Sequence, residues 1–475
     1  MSVNEILSVG IDIGTSTTQT VFSRLKMQNT AGYFAVPKIS IIDKKTVFKG
    51  EIHKTPMSDG AALDSDGVKR LVEKDFAEAG FTPRDTATGA VIITGEAARK
   101  ENAAAVLNRL SDFAGDFVVS TAGPDLESIV AGKGSGAYEY SLDNLTTALN
   151  LDIGGGTTNV VLFDKGDVAA IGCLNIGGRQ ITVENGEITY IGESAAKIAK
   201  FLNLSIKAGS MLNLDVLNAV CVKMADLLYD LITGNDSELL RGVTTAGSTP
   251  YKSALPPEAV FFSGGVADCV YNEKGGDFLY GDIGVLLGRA VRNGKIASEF
   301  TVAEGVETIR ATVVGAGSYT TSVSGSTIFY NKELLPLKNV PVLKLSDAEY
   351  AEAEKGNSLP LEDKIKWFLR ETGNVNSLIA LTGDANMSYE NLKLLASSAA
   401  RAVNGVYPEG APLLIAVEND MAKVFGQTVF GELQPKRSII SIDGVKLRDG
   451  DYIDLGKPLM DGLVIPIVVK TLIFG

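Results

Sequence analysis

The chain has 475 residues, 45% of them hydrophobic and 21% charged, enough for roughly two to four domains with apolar cores. Its formal net charge of −13 is spread along the chain, so nucleic acid is not an expected partner. No apolar run reaches about 18 residues, and the opening MSVNEILSVGIDIG has neither a basic region nor a cleavage site, so no membrane is expected and the predicted location is cytoplasmic.

In chain order, apolar strands are predicted over Ile6–Ile13 and Thr17–Ser23, joined by a Gly-Thr-Ser turn. Ala35–Ile42 and Thr46–Phe48 continue the sheet, with Asp43-Lys44-Lys45 as a turn. The polar segment GEIHKTPMSDG carries the single histidine, His53, through which any Ser-His or Cys-His catalysis would have to run; a local structural role is expected instead. Residues 64–79 have helical spacing and are closed by Gly80. A strand at 90–94 leads to a helix beginning near Glu96, where Glu96 and Arg99 lie at a strand end of the kind that lines clefts. Another strand, 116–121, delivers AGPDLESIVAGKGSGA.

The stretch Leu151–Phe163, LDIGGGTTNVVLF, repeats the opening pattern IDIGTSTTQTVF: Asp, Ile, Gly, Thr, Thr and Val recur at the same offsets from Asp152 as from Asp12. Taken singly, either stretch reads equally well as a plain hairpin. A plain turn has no reason to be duplicated with its acid and threonines intact, which points to two similar lobes sharing one cleft. Glycines remove the Cβ atoms that would keep an anion from the backbone N–H groups. An aspartate just ahead of such a turn cannot hold phosphate itself, but it can hold the magnesium that accompanies a nucleotide. Asp12 and Asp152 are therefore the metal candidates. Amides of Gly14, Thr15 and Ser16 and of Gly154, Gly155, Gly156 and Thr157 are the phosphate candidates, with hydroxyls of Thr15, Thr157 and Thr158 assisting.

After a strand over 167–174 comes NIGGRQITV, then helices at 193–202 and 215–233, the latter apolar at 217, 220, 221, 224, 227, 228 and 231. Strand 259–262 runs into SGGVAD, and YGDIGVLLGRAV over 280–291 reads as a helix. Residues 307–330, rich in β-branched side chains and including GAGSYT, are predicted as strands and turns. Residues 346–370 read as interrupted helix; 377–382, 391–403 and 413–418 as strand, helix, strand; and the last segment as mostly β, with turns at Asp443-Gly444 and Asp449-Gly450. Cys173, Cys221 and Cys269 are widely spaced and odd in number, which indicates neither a disulfide framework nor a zinc site.

The paired hairpins resemble the phosphate motifs of the actin, hexokinase and Hsp70 ATPase superfamily, and no Walker A pattern competes with them. The resemblance implies a two-lobed actin-like or Hsp70-like α/β ATPase fold binding ATP and Mg²⁺. The implied domains are lobes at 1–145 and 146–296 and an additional C-terminal α+β region at 297–475, a candidate partner-binding unit. It further implies that Gly177 and Gly178 close over the phosphates, that Gly264 and Gly265 of SGGVAD lie against adenosine, and that 280–291 is the second lobe-connecting helix. Its usual water-positioning acid falls on Gly123 here, leaving Asp125 and Glu127 nearby as catalytic candidates beside Asp12 and Asp152.

SVGIDIGTSTTQTVFS, VIITGEAARKENA, LDIGGGTTNVVLF, FFSGGVAD and VENDMAKVFGQ together resemble one family over nearly the full length: the ethanolamine ammonia-lyase reactivating proteins of bacterial ethanolamine utilisation. That resemblance implies a chaperone-like ATPase that drives damaged cobalamin out of the lyase so that intact adenosylcobalamin can bind. It implies the lyase as partner, cobalamin only indirectly, a possible association with the ethanolamine microcompartment, and admits a homo-oligomer. A small-molecule kinase or an actin-like filament protein would use the same cleft and is the alternative.

Overall fold

The computed structural model describes residues 4–31, 39–58, 62–94, 97, 102–103, 106, 110, 118–121, 123–319, 322–325, 327–372, 376–384, 386–449 and 451–471. Glu96 and Arg99 lie outside the described residues.

The first sheet is built on β1 (Asn4–Ile13) and β2 (Thr17–Asn29), paired antiparallel across the predicted turn. Beyond β2 lies β3 (Ile39–Lys49), with the short β4 (His53–Lys54) on the same strand. On the other side of β1, β5 (Thr86–Ile93) and β6 (Val118–Thr121) add in parallel. The expected turn at 43–45 is instead the middle of β3, and the irregularity is absorbed as register shifts opposite Phe22/Ser23 and Lys26/Met27. The helix Ser65–Ala79 starts where Asp64 accepts from Asp66 N and Gly67 N, and stops at Gly80 with φ 72°. Val68, Val72 and Phe76 bury its apolar stripe against β1, β2 and β5.

The second sheet repeats the plan. β7 (Thr147–Ile153) and β8 (Thr158–Asp164) form the hairpin and β9 (Asp167–Leu174) extends it. A small hairpin, β10 (Ile181–Glu184) with β11 (Glu187–Ile191), stands apart. β12 (Ala259–Ser263) joins β7 in parallel, followed by β13 (Thr301–Val302). Helix Leu214–Thr233 packs on this sheet through the residues its spacing nominated, Leu217, Val220, Cys221, Met224, Leu227, Leu228 and Leu231. Two lobes, each with an antiparallel hairpin strand flanked by a parallel neighbour, make this the two-lobed actin-like ATPase fold.

The lobes are joined by two crossing helices, and the second is not the one expected. Gly284–Arg292 forms, but its buried side chains belong to the core of the second lobe. The partner of helix Pro124–Gly134 is Ala311–Tyr319, inside the stretch predicted as strands and turns. A Cβ on Gly134 would overlap the Ala311 carbonyl, and one on Gly315 the Val130 carbonyl, so the two backbones touch. The same helix lies on β1, where Ser8 Oγ donates to Gly317 O at 2.5 Å. The Gly-Ala-Gly that suggested a turn supplies the small residues of a close crossing; packing has overridden strand propensity.

The third region is one mixed sheet ordered β14 (Ser322–Val323), β21 (Pro466–Thr471), β20 (Asp451–Leu455), β16 (Leu337–Lys344), β17 (Leu378–Leu381), β18 (Leu413–Val417), β19 (Ile439–Asp443), β15 (Phe329–Tyr330). β16 to β19 are parallel neighbours with helices between them, and those helices cover one face. This α+β region docks on the first lobe: Val468 of β21 packs with Ala90, Ile92, Val130 and Ala316, and Val464 with Met27 and Ile39.

Candidate functional site

Asp12 and Asp152 end β1 and β7 in matching places. Each pairs with an amide residue on the hairpin's return strand, Asp12 with Gln19 and Asp152 with Asn159. Each turn is closed alike, with Gly14 N donating to Thr17 O and Gly154 N to Thr157 O, both at 2.9 Å. Each acid also receives a hydroxyl from the end of its parallel neighbour. Thr94 Oγ1 donates to Asp12 at 2.9 Å and Ser263 Oγ to Asp152 at 2.6 Å.

Both carboxyls are buried, and burial is the main cause that pushes Asp12 up to about 7 and Asp152 up to about 6. The charge of Asp152 adds to the rise at Asp12, so the two acids are close enough to feel each other. Two desolvated carboxylates with neutral hydroxyl and amide partners fit a divalent cation that keeps waters and phosphate oxygens in its shell. Among the described residues no group of three or more His, Cys, Asp or Glu could hold a metal by itself.

The turns present their amides because their carbonyls are pinned elsewhere. In the second lobe Gly178 N donates to Gly154 O at 3.0 Å, Arg179 N to Gly155 O at 2.6 Å, and Gln180 Nε2 to Gly156 O at 2.7 Å. A trans peptide points its N–H opposite to its C=O, so the amides of 155, 156 and 157 face away from the 178–180 segment. Thr55 does the same in the first lobe, its Oγ1 donating to Gly14 O at 2.7 Å and its N to Ser16 O at 3.1 Å. Gly177 and Gly178 thus brace the turn from behind. A Cβ on Gly177 would overlap the Gly155 carbonyl.

The threonines divide by position. Thr15 is exposed and its Oγ1 accepts from Ala97 N at 3.1 Å, while Thr157 is half-buried at the turn. Thr158 is fully buried and its hydroxyl is committed to Ile176 O at 2.8 Å. Ser16 is half-buried beside Thr15. Gly264 follows β12 with φ 85°, and a Cβ there would stand 2.5 Å from Ile153 O, so only glycine fits. At Gly265 a Cβ would meet nothing within 4 Å; this exposed face of the SGG turn is open to a flat ligand.

Asp125 is buried in the first turn of the 124–134 helix, with Thr249 N and Oγ1 donating to its two oxygens at 3.1 and 2.5 Å. Glu127 lies in the same turn, half-buried. His53 is held at 3.1 Å from Asp75, on the strand behind the first hairpin. Thr55, Thr94, Ser263 and Arg179 were not nominated from sequence. Ser263 could have been, as the Ser of the SGG motif; Thr94 and Thr55 carry no local signal.

The family model for the ethanolamine utilisation protein EutA matches residues 4–475. The chain belongs to the EutA family. It is 37% identical over 476 residues to the ethanolamine ammonia-lyase reactivase EutA of Salmonella typhimurium, and 35% identical over 479 residues to that of Escherichia coli, with all of each chain covered in both cases. Among solved structures, the PPX-GPPA enzyme of Aquifex aeolicus shares 13% identity at a TM-score of 0.40, over 66% of this chain and 99% of that one. Among the described residues of this EutA-family chain, no helix is long and apolar enough to cross a membrane.

Proposed function

We propose that this chain is an ATP-dependent reactivating factor for ethanolamine ammonia-lyase. The observation that carries the nucleotide half is the pair of buried acids, Asp12 and Asp152, at the ends of duplicated hairpins, both raised by burial and Asp12 also by the charge of Asp152. Full-length identity to two named reactivases supports the choice of client.

In this reading Asp12 and Asp152 hold Mg²⁺, directly or through water, and the metal neutralises the phosphates of bound ATP. Amides of Thr15 and Ser16 in one lobe and of Gly155, Gly156 and Thr157 in the other hold those phosphates, with the Thr15 and Thr157 hydroxyls at hand. Gly264 and Gly265 flank adenosine. Asp125, fixed by Thr249, positions the 124–134 helix, which leaves Glu127 as the acid to orient water. The division into 1–145, 146–296 and 297–475 belongs to the same proposal, with the 311–319 helix serving the lobes.

Gripping the γ-phosphate from both lobes closes the cleft and its loss relaxes it. The third region contacts the lyase differently in the two states and so couples closure to release of damaged cobalamin. On this reading the chain works beside the lyase, in the cytoplasm or in the ethanolamine microcompartment. The test incubates the protein with lyase carrying cyanocobalamin, plus adenosylcobalamin, Mg²⁺ and ATP, and follows deamination. Recovery only with ATP is the expected result. ATP turnover without recovery would retain the nucleotide site and remove the lyase as client.

A further inference from the structure

The turn after β7 carries no side chain that could meet a polyphosphate with positive charge, yet two carboxylates already face the place where the anion would lie. A magnesium triphosphate is still net negative, so amide dipoles and the metal alone leave charge uncompensated. Arg179 is the side chain placed to answer it. Its backbone N is bound to Gly155 O, and its stem runs along the turn, with Cγ and Cδ 3.4 and 3.3 Å from where a Cβ on Gly155 would stand.

The guanidinium end is loosely held. Nε lies 3.7 Å from Asp282 Oδ2, beyond hydrogen-bond range, and the Arg179 side chain is 48% exposed against 10% for Asp282. Asp282 is anchored on its own account, accepting from Gly284 N at 2.8 Å, and burial pushes its carboxyl up. A half-exposed guanidinium with one distant partner is free to turn to a stronger, bidentate anion.

We propose that Arg179 is a phosphate-binding residue of the cleft, with Asp282 as the competing anion that sets its availability. The inference rests on the nucleotide reading of the cleft. It separates Arg179 from a stem that merely shields the turn, because the two roles respond oppositely to Asp282. If Asp282 competes, Asp282→Asn frees the guanidinium and tightens nucleotide binding. If Asp282 only props the stem, the same change loosens it.

Calorimetric titration of the full chain with ATP and Mg²⁺ decides. Arg179→Ala is expected to weaken binding about tenfold, the loss of one charge-assisted contact. It should also make binding less sensitive to salt, with Arg179→Lys recovering part of both. Asp282→Asn is expected to lower Kd. Binding unchanged in Arg179→Ala, or weakened in Asp282→Asn, would overturn the role of Arg179 while leaving the nucleotide site standing. No affinity in the unaltered protein would instead remove the nucleotide site itself, and this inference with it.

Discussion

Asp12 and Asp152 store a pH dependence. Their carboxyls titrate at about 7 and about 6 in the folded chain, above the ordinary carboxylate range, so the folded state holds protons that the unfolded chain has released. Their contribution to stability is therefore intact below the unfolded-state value and is lost as pH rises through about 6 to 7. Without divalent metal, the melting temperature should fall between about pH 4 and pH 7, and Mg²⁺ with ATP should restore most at the upper end. Asp12→Asn with Asp152→Asn should flatten the profile; a profile that keeps its slope would place the titration elsewhere. Asp152→Ala should abolish Mg²⁺-dependent ATP turnover, read as phosphate release. At this scale the sequence was most informative where the chemistry is local. Asp, Gly and Thr at fixed offsets sit on one hairpin. Thr94 and Ser263, which donate to those acids, arrive on parallel strands whose pairing no short stretch encodes.

Among the elements, the 311–319 helix decides how the lobes meet. It touches helix 124–134 through Gly134 and Gly315 and β1 through Gly10 and Gly317. The strip before it belongs to both sides of the cleft. Thr308 O accepts from Gly264 N at 3.1 Å, Ile309 O from Gln19 Nε2 at 3.4 Å, and Arg310 Nη2 donates to Gly50 O at 2.9 Å. Gly315→Ala should cost about 1–3 kcal/mol by overpacking, measured as a shift in the denaturant midpoint at unchanged slope. Loss of less than about 0.5 kcal/mol would mean that the crossing yields easily. A Val- and Gly-rich apolar run reads as strand by propensity, and only the neighbours that demand small residues make it a helix. The long 214–233 helix, by contrast, was legible because one amphipathic face met one sheet.

In the whole molecule, the third region rests on the first lobe. Val468 packs beside Val130 and Ala316, one from each crossing helix. If the lobes close as proposed, movement of those helices would be felt at the third sheet. Val468→Asp should lower lyase reactivation far more than Mg²⁺-dependent ATP binding, compared in the same preparation; equal losses would indicate general unfolding.

The two-ended attachment of that region has a mechanical meaning. Its first strand, β14, is zipped to its last, β21, by Ser322 pairing with Ile467 and Val323 with Pro466. A unit hung from one flexible tether swings and samples a volume. A unit whose first and last strands are joined beside the helix crossing would, if the lobes close as proposed, act as a lever arm, turning an angular change at that crossing into a directed displacement at its far edge.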